Sequence, residues 1–188
     1  MVLAILDWLP QFCADLVDIE VAEQGATLAE LQQLEQDLGI PLPAAYKDCL
    51  QVWDGAADFG SWQIYSVAEI RSGVNYWGFQ AGVSELGGED YPFLYRFKPL
   101  ALLPIAQQTH SADLFCFDTR QYKGQDYPIV EYDHEIWQVK QRYRCFADFL
   151  QAKAWDITED LEFFLRSDRT DEEADHICQY WSERLRTE

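Results

Sequence analysis

Three histidines, five cysteines and 33 carboxylates are the residues of this 188-residue chain that chemistry would have to use. Their spacing limits what they can do. His110, His134 and His176 lie far apart, and none belongs to an H-E-x-x-H run or a similar zinc-ligand pattern. Asp133-His134-Glu135 is the most site-like triplet, yet neighbours on a strand point to opposite faces. Asp133 and Glu135 would share a face, and Asp118 from a neighbouring strand end would complete a carboxylate cluster fit for a divalent cation. Ordinary hairpin ends in water give the same pattern, and neither a metal nor a cofactor is expected. Cys116 with His134 is the one nucleophile–base pair to weigh, but Cys116 sits inside an apolar run where desolvation disfavours a thiolate. Gly87-Gly88 lacks the spacing of a phosphate cradle, no Walker lysine follows a glycine run, and there is no G-x-S-x-G elbow. The residues describe a protein that is not an enzyme and has no catalytic set.

Cys13, Cys49, Cys116, Cys145 and Cys178 are odd in number, widely scattered and free of any C-x-x-C pair. Disulfide frameworks and zinc sites have tighter spacing. Cys49, Cys145 and Cys178 fall on apolar stripes, where a thiol packs as a small hydrophobe. Structural thiols are expected.

Charge is informative through its distribution. The formal net charge is −19. Residues 1–58 carry 11 acidic residues against Lys47 alone, and residues 156–188 carry 11 against four basic ones. Residues 59–155 are almost balanced, with 11 acidic and nine basic. Such a chain repels nucleic acid and anionic membrane and steers cationic partners toward itself. A plain solubility surface is the alternative. No apolar run approaches the length of a membrane span, and the opening MVLAILDWLP lacks the Lys or Arg of a secretory leader. A soluble cytoplasmic protein is expected, as a monomer or a homodimer.

The elements that must position these residues begin with a helical hairpin over 27–55. Thr27 and Glu30 make a capping box, and Leu28, Leu31, Leu34 and Leu38 form an apolar stripe. Gly39 suits the left-handed helix end, Pro41 blocks continuation, and Pro43 fits the first turn of the next helix. Tyr46, Cys49, Leu50 and Trp53 form the second stripe, which Gly55 closes. Before it, residues 2–21 read as a helix broken at Pro10, with Trp8, Phe12, Leu16 and Ile19 available for burial. After it, residues 62–65 read as a strand, and Ser66 with Glu69 caps a brief helix. Residues 71–97 mix five glycines with seven aromatics, either a lid over the core or a functional loop. Apolar runs at 100–106, 114–118, 127–134 and 136–139 read as strands with short antiparallel connections, Pro104 demanding an edge or a bulge. A helix follows from Cys145, and Thr170 with Glu173 caps a last helix with Ala174, Ile177, Cys178, Trp181 and Leu185 on one face.

The hairpin wording, E-x-x-LG-x-x-LP-xx-Y and then a helix ending near W-x-G, resembles the opening of the SUKH superfamily, immunity and regulatory proteins related to the fungal cell-wall assembly regulators. L-P-I-A, a polar turn, L-F-C-F-D, P-I-V-E-Y-D-H and F-x-D-F-L look like its second half. The resemblance covers 27–152, about two thirds of the chain. Ser111-Ala112-Asp113 stands where a Gly-Asp turn is usual, the 71–97 segment is long, and the tail from Asp156 has no counterpart. The expected fold is α+β: an N-terminal helical hairpin packed on a mostly antiparallel sheet of about five strands, with C-terminal helices. Three segments are expected: 1–26, helical; 27–152, the SUKH-like domain; and 153–188, an acidic helical extension packed on it.

The resemblance implies a non-enzymatic immunity protein that binds and neutralises a cognate toxin, or else a regulatory or scaffolding protein-binding module. The acidity favours a basic toxin of the nuclease type. The expected partner face lies at the end of the hairpin and the loops beside it. Asp54, Asp58, Glu85, Glu89, Asp90 and Asp118 would supply charge there, and Trp62 an aromatic anchor.

Overall fold

A computed structural model describes residues 7–15, 25–59, 62–77, 101–109, 111, 113–122, 126–133, 138–159 and 170–186. Their helices are α1 (Leu9–Asp15), α2 (Leu28–Leu38), α3 (Ala44–Val52), α4 (Val67–Trp77), α5 (Phe146–Glu159) and α6 (Asp171–Leu185). Their strands are β1 (Ala56–Phe59), β2 (Trp62–Ile64), β3 (Leu102–Gln108), β4 (Leu114–Asp118), β5 (Ile129–Asp133) and β6 (Gln138–Tyr143). The strands form one antiparallel sheet in sequence order, β1 to β6.

Local sequence sets the helix ends. Thr27 and Glu30 close a reciprocal box at the start of α2, Thr170 and Glu173 do so for α6, and Ser66 and Glu69 for α4. Gly39 ends α2 at φ 69°, in the left-handed region. Glu35 then staples the hinge, accepting from the Leu42 N–H at 2.7 Å and from Lys47 Nζ at 3.0 Å. Pro43 caps α3 instead of opening it, and Pro10 lies in the first turn of α1, where a missing N–H costs no helical bond.

Both faces of the sheet are buried. On one, Leu103, Ile105, Phe115, Phe117 and Ile129 join the stripes of α2, α3 and α5. Tyr46 meets Phe117 and Phe146 edge-on at 5.1 and 4.8 Å. On the other, Leu102, Leu114, Cys116, Val130 and Tyr132 form a second cluster. This explains why β4 is buried at every position and apolar from Leu114 to Phe117 instead of alternating. Pro104 sits beside the register slip between Pro104 and Ala106, so β3 keeps a proline in the middle of a sheet by bulging.

Three expectations are corrected. Leu28 is 63% exposed, because the first turn of α2 projects past the core that Leu31, Leu34 and Leu38 enter. The helix after Ser66 runs on to Trp77, since its docking on α2, with Arg71 bonded to Asp37 at 2.8 Å, outweighs the cost of Gly73. The last strand is 138–143, because pairing with β5 carries it beyond the apolar run. Beyond Trp77, the glycine- and aromatic-rich segment lies outside the described residues, as do Leu16 and Ile19.

Two glycines are fixed by close approach. A Cβ on Gly55, at φ 90°, would stand 2.7 Å from the Ser66 nitrogen. One on Gly25 would stand 1.8 Å from the Gln51 carbonyl oxygen, where Ala26 N–H bonds Leu50 O at 2.7 Å. Gly25→Ala is expected to cost about 2–3 kcal/mol, read as a lower urea midpoint at unchanged slope, because backbone must move to admit the methyl.

Candidate partner surface

Strand register decides which candidate residues meet. Trp62 pairs with Gln108 and Ile64 with Ala106, while Leu102 pairs with Asp118. Gly55, Ser66 and Asp118 therefore mark one end of the sheet. The β1–β2 turn, Gln108 and Asp113 mark the other. Asp54 and Asp118 share the first end, on opposite sides of β2 and β3. Asp58 and Trp62 stand at the second. The single rim read from the sequence is split between two ends. Glu85, Glu89 and Asp90 lie outside the described residues, as does the side chain of Asp58.

Each of the other three has a structural task. Asp54 Oδ1 accepts from the Val67 N–H at 2.7 Å and so caps α4. Burial pushes its carboxyl up, the Val67 bond opposes this, and Glu30 and Glu69 add to the rise. Trp62 is only 3% exposed, its ring 5.6 Å from Phe149. The alternation of β2 turns Trp62 and Ile64 inward and Gln63 outward, so Trp62 is a core residue and not a presented anchor.

Asp118 is wholly buried and organises the turn after β4. Its carboxylate accepts a fork from Arg120, Nε at 2.8 Å and Nη2 at 2.9 Å, and a bond from Gln121 Nε2 at 2.7 Å. Burial alone would raise its pKa, but the bonds from Arg120 and Gln121 together hold it below the usual value. Stability from a lowered carboxyl is present above the unfolded pKa of about 3.9 and is lost as pH falls through the folded value. Asp118→Asn should therefore cost about 1–3 kcal/mol at neutral pH. The gap to the parent should narrow on acidification below about pH 4, measured by urea titrations across that range.

Of the reactive constellations read from the sequence, only Asp118 and Asp133 can be compared, and they do not meet; His134 and Glu135 lie outside the described residues. Leu114 pairs with Tyr132, which brings the neighbouring Asp113 and Asp133, both buried, to the end of the sheet away from Asp118. Asp118 and Asp133 are thus separated by the length of β5. Among the described residues, no three His, Cys, Asp or Glu side chains gather to hold a metal. Cys116 faces Val130 across the ladder, and burial pushes both its thiol and that of Cys49 far up. Cys49, Cys116, Cys145 and Cys178 are free thiols.

Among the described residues, one open acidic surface lies on α6. Asp171, Glu172 and Asp175 are exposed on its first turns, where negative charge suits the helix dipole. Glu172, Asp175, His176 and Gln179 line a shallow concavity there, and Tyr180 stands exposed one turn on. The sequence held the signal for this face: it is what remains of the capped helix once Ala174, Ile177, Cys178, Trp181 and Leu185 turn inward.

No helix among the described residues is long and apolar enough to cross a membrane. No curated protein matches the chain. The family model described as SMI1 / KNR4 family (SUKH-1) matches residues 25–152. The match opens at Gly25, where the chain presses on the end of α3, spans the whole sheet and ends inside α5, leaving α1 and α6 outside. With the α2–α3 hairpin, the antiparallel sheet and about two thirds of its length matched, the chain belongs to the SMI1/KNR4 family (SUKH-1).

Proposed function

We propose that this protein is a non-enzymatic immunity protein, which acts in the cytoplasm by binding a cognate toxin with a basic, nuclease-type surface. Family membership carries the reading, since it fits either an immunity protein or a regulator-like binding module. The net charge of −19 supports the first, because a nuclease must offer positive potential to its polyanionic substrate and an acidic protein competes for it. The desolvated thiols of Cys49 and Cys116 support a role in binding and not in chemistry. Asp58, Glu85, Glu89 and Asp90 are the proposed contact charges. Asp54, Trp62 and Asp118 are left to hold the fold.

The test is protection of a cell that expresses a candidate toxin domain, sought first among the genes that neighbour this one. The parent protein should restore growth. Reversal of Asp58, Glu85, Glu89 and Asp90 to lysine should slow association about tenfold or more, and the parent rate should itself fall as salt rises. Asp54 is kept out of the set because its reversal would uncap α4. Binding to a housekeeping protein without protection would favour the regulatory module, and an acidic toxin domain would remove the electrostatic argument.

A further inference from the structure

α1 and α6 lie outside the family match and are more than 150 residues apart in sequence, yet they meet across a compact set of contacts. The Trp181 ring stands edge-on to Phe12 at 5.1 Å and to Trp8 at 6.5 Å. Trp8 meets Phe12 at 5.5 Å, so the three rings form a closed triangle. Trp181 Nε1 donates to Asp15 Oδ2 at 2.9 Å, and Arg184 donates to the Asp7 carbonyl at 3.1 Å. Toward α5 the polar ties are Gln151 Nε2 to the Leu185 carbonyl at 3.1 Å and the Arg186 guanidinium over Trp155 at 5.9 Å.

We infer that α1 and α6 form one clasp, which opens and closes as a unit over the Gln151–Trp155 side of α5 without unfolding the sheet. Three observations carry this. The described turns of α1 bury Phe12 against Trp181, so the two helices share one apolar contact. Among the described residues the pair is tied by the Trp181–Asp15 and Arg184–Asp7 hydrogen bonds and the ring triangle, whereas β3, β4 and β5 are each paired on both sides and have both faces buried. The triangle also contains an unmet donor: Trp8 Nε1 is buried and has no acceptor, which weakens the closed form. Cooperative segments with few ties open below the global transition. Opening bares Trp8, Phe12 and Trp181 together, so the exposure of three large rings is a single reversible event.

Amide hydrogen exchange on the full chain, resolved by segment, tests the inference. Asp15→Ala removes the acceptor of Trp181 without touching the rings. Exchange should rise in α1 and in α6 by a common factor of about tenfold, with β3, β4 and β5 unchanged. Asp15→Asn keeps an oxygen in place and should recover most of the protection. A rise confined to α1 would show that the helices are not one unit. An equal rise in the sheet would show that the clasp is only part of the global core. No rise in either helix would show that the Asp15 bond does not hold them. Each of these three results overturns the proposal.

Discussion

Phe149→Ala is expected to lower the unfolding free energy by about 3–5 kcal/mol, enough to leave a marginal domain largely unfolded. Phe149 is fully buried at the point where α5 meets the sheet. Its ring contacts Phe115 at 5.0 Å, Tyr143 at 5.3 Å and Trp62 at 5.6 Å, from β4, β6 and β2. Truncation removes the transfer energy of the ring, leaves a cavity that three strands cannot close, and forfeits the edge-on geometry with Trp62 and Tyr143. The loss should be global. Urea unfolding followed by tryptophan fluorescence and by far-ultraviolet dichroism should shift together. A drop below about 1 kcal/mol would show that the site collapses around the cavity.

Trp181→Ala removes a side chain of similar size and should cost as much locally, about 3–5 kcal/mol of clasp stability, with a different signature. Trp181 is 1% exposed, and its partners include Trp8, just before α1, and Phe12 and Asp15 of α1. Once the clasp is open, further loss at this site no longer burdens the sheet. The variant should keep its strand amides in a heteronuclear NMR spectrum while the signals of α1 and α6 lose dispersion. A spectrum that collapses throughout would place Trp181 in the same cooperative unit as Phe149.

The parts of this fold that are legible in the sequence are those set by local physics. The boxes at Thr27, Ser66 and Thr170, the left-handed Gly39 and the stripe Leu31, Leu34, Leu38 each depend on residues within a turn or two. Pro104 demanded an edge or a bulge because a proline cannot donate to a central ladder, and the structure takes the bulge. What escaped depends on pairing. β1, Ala-Ala-Asp-Phe, has no strand-like composition and exists because the turn folds it onto β2. Three of the surface candidates turn on pairing as well. Acidity and position after the hairpin pointed to Asp54, Trp62 and Asp118, but only register and alternation reveal that one caps a helix, one enters the core and one anchors a turn. The family resemblance rested on hairpin wording and strand order, both local, and the match over 25–152 bears it out.

The two outer strands carry a last consequence. β1 slips register against β2 between Ala56 and Phe59, and β6 slips against β5 so that Lys140 has no opposite residue. β1 is also only four residues long, and β6 brings the exposed Arg142 to the rim. Irregular or charged borders of this kind refuse an incoming backbone. The sheet is thereby protected from templating its own growth into fibres. The same borders disfavour docking by an added strand, which leaves the side chains of the helices and turns as the surface another protein would read.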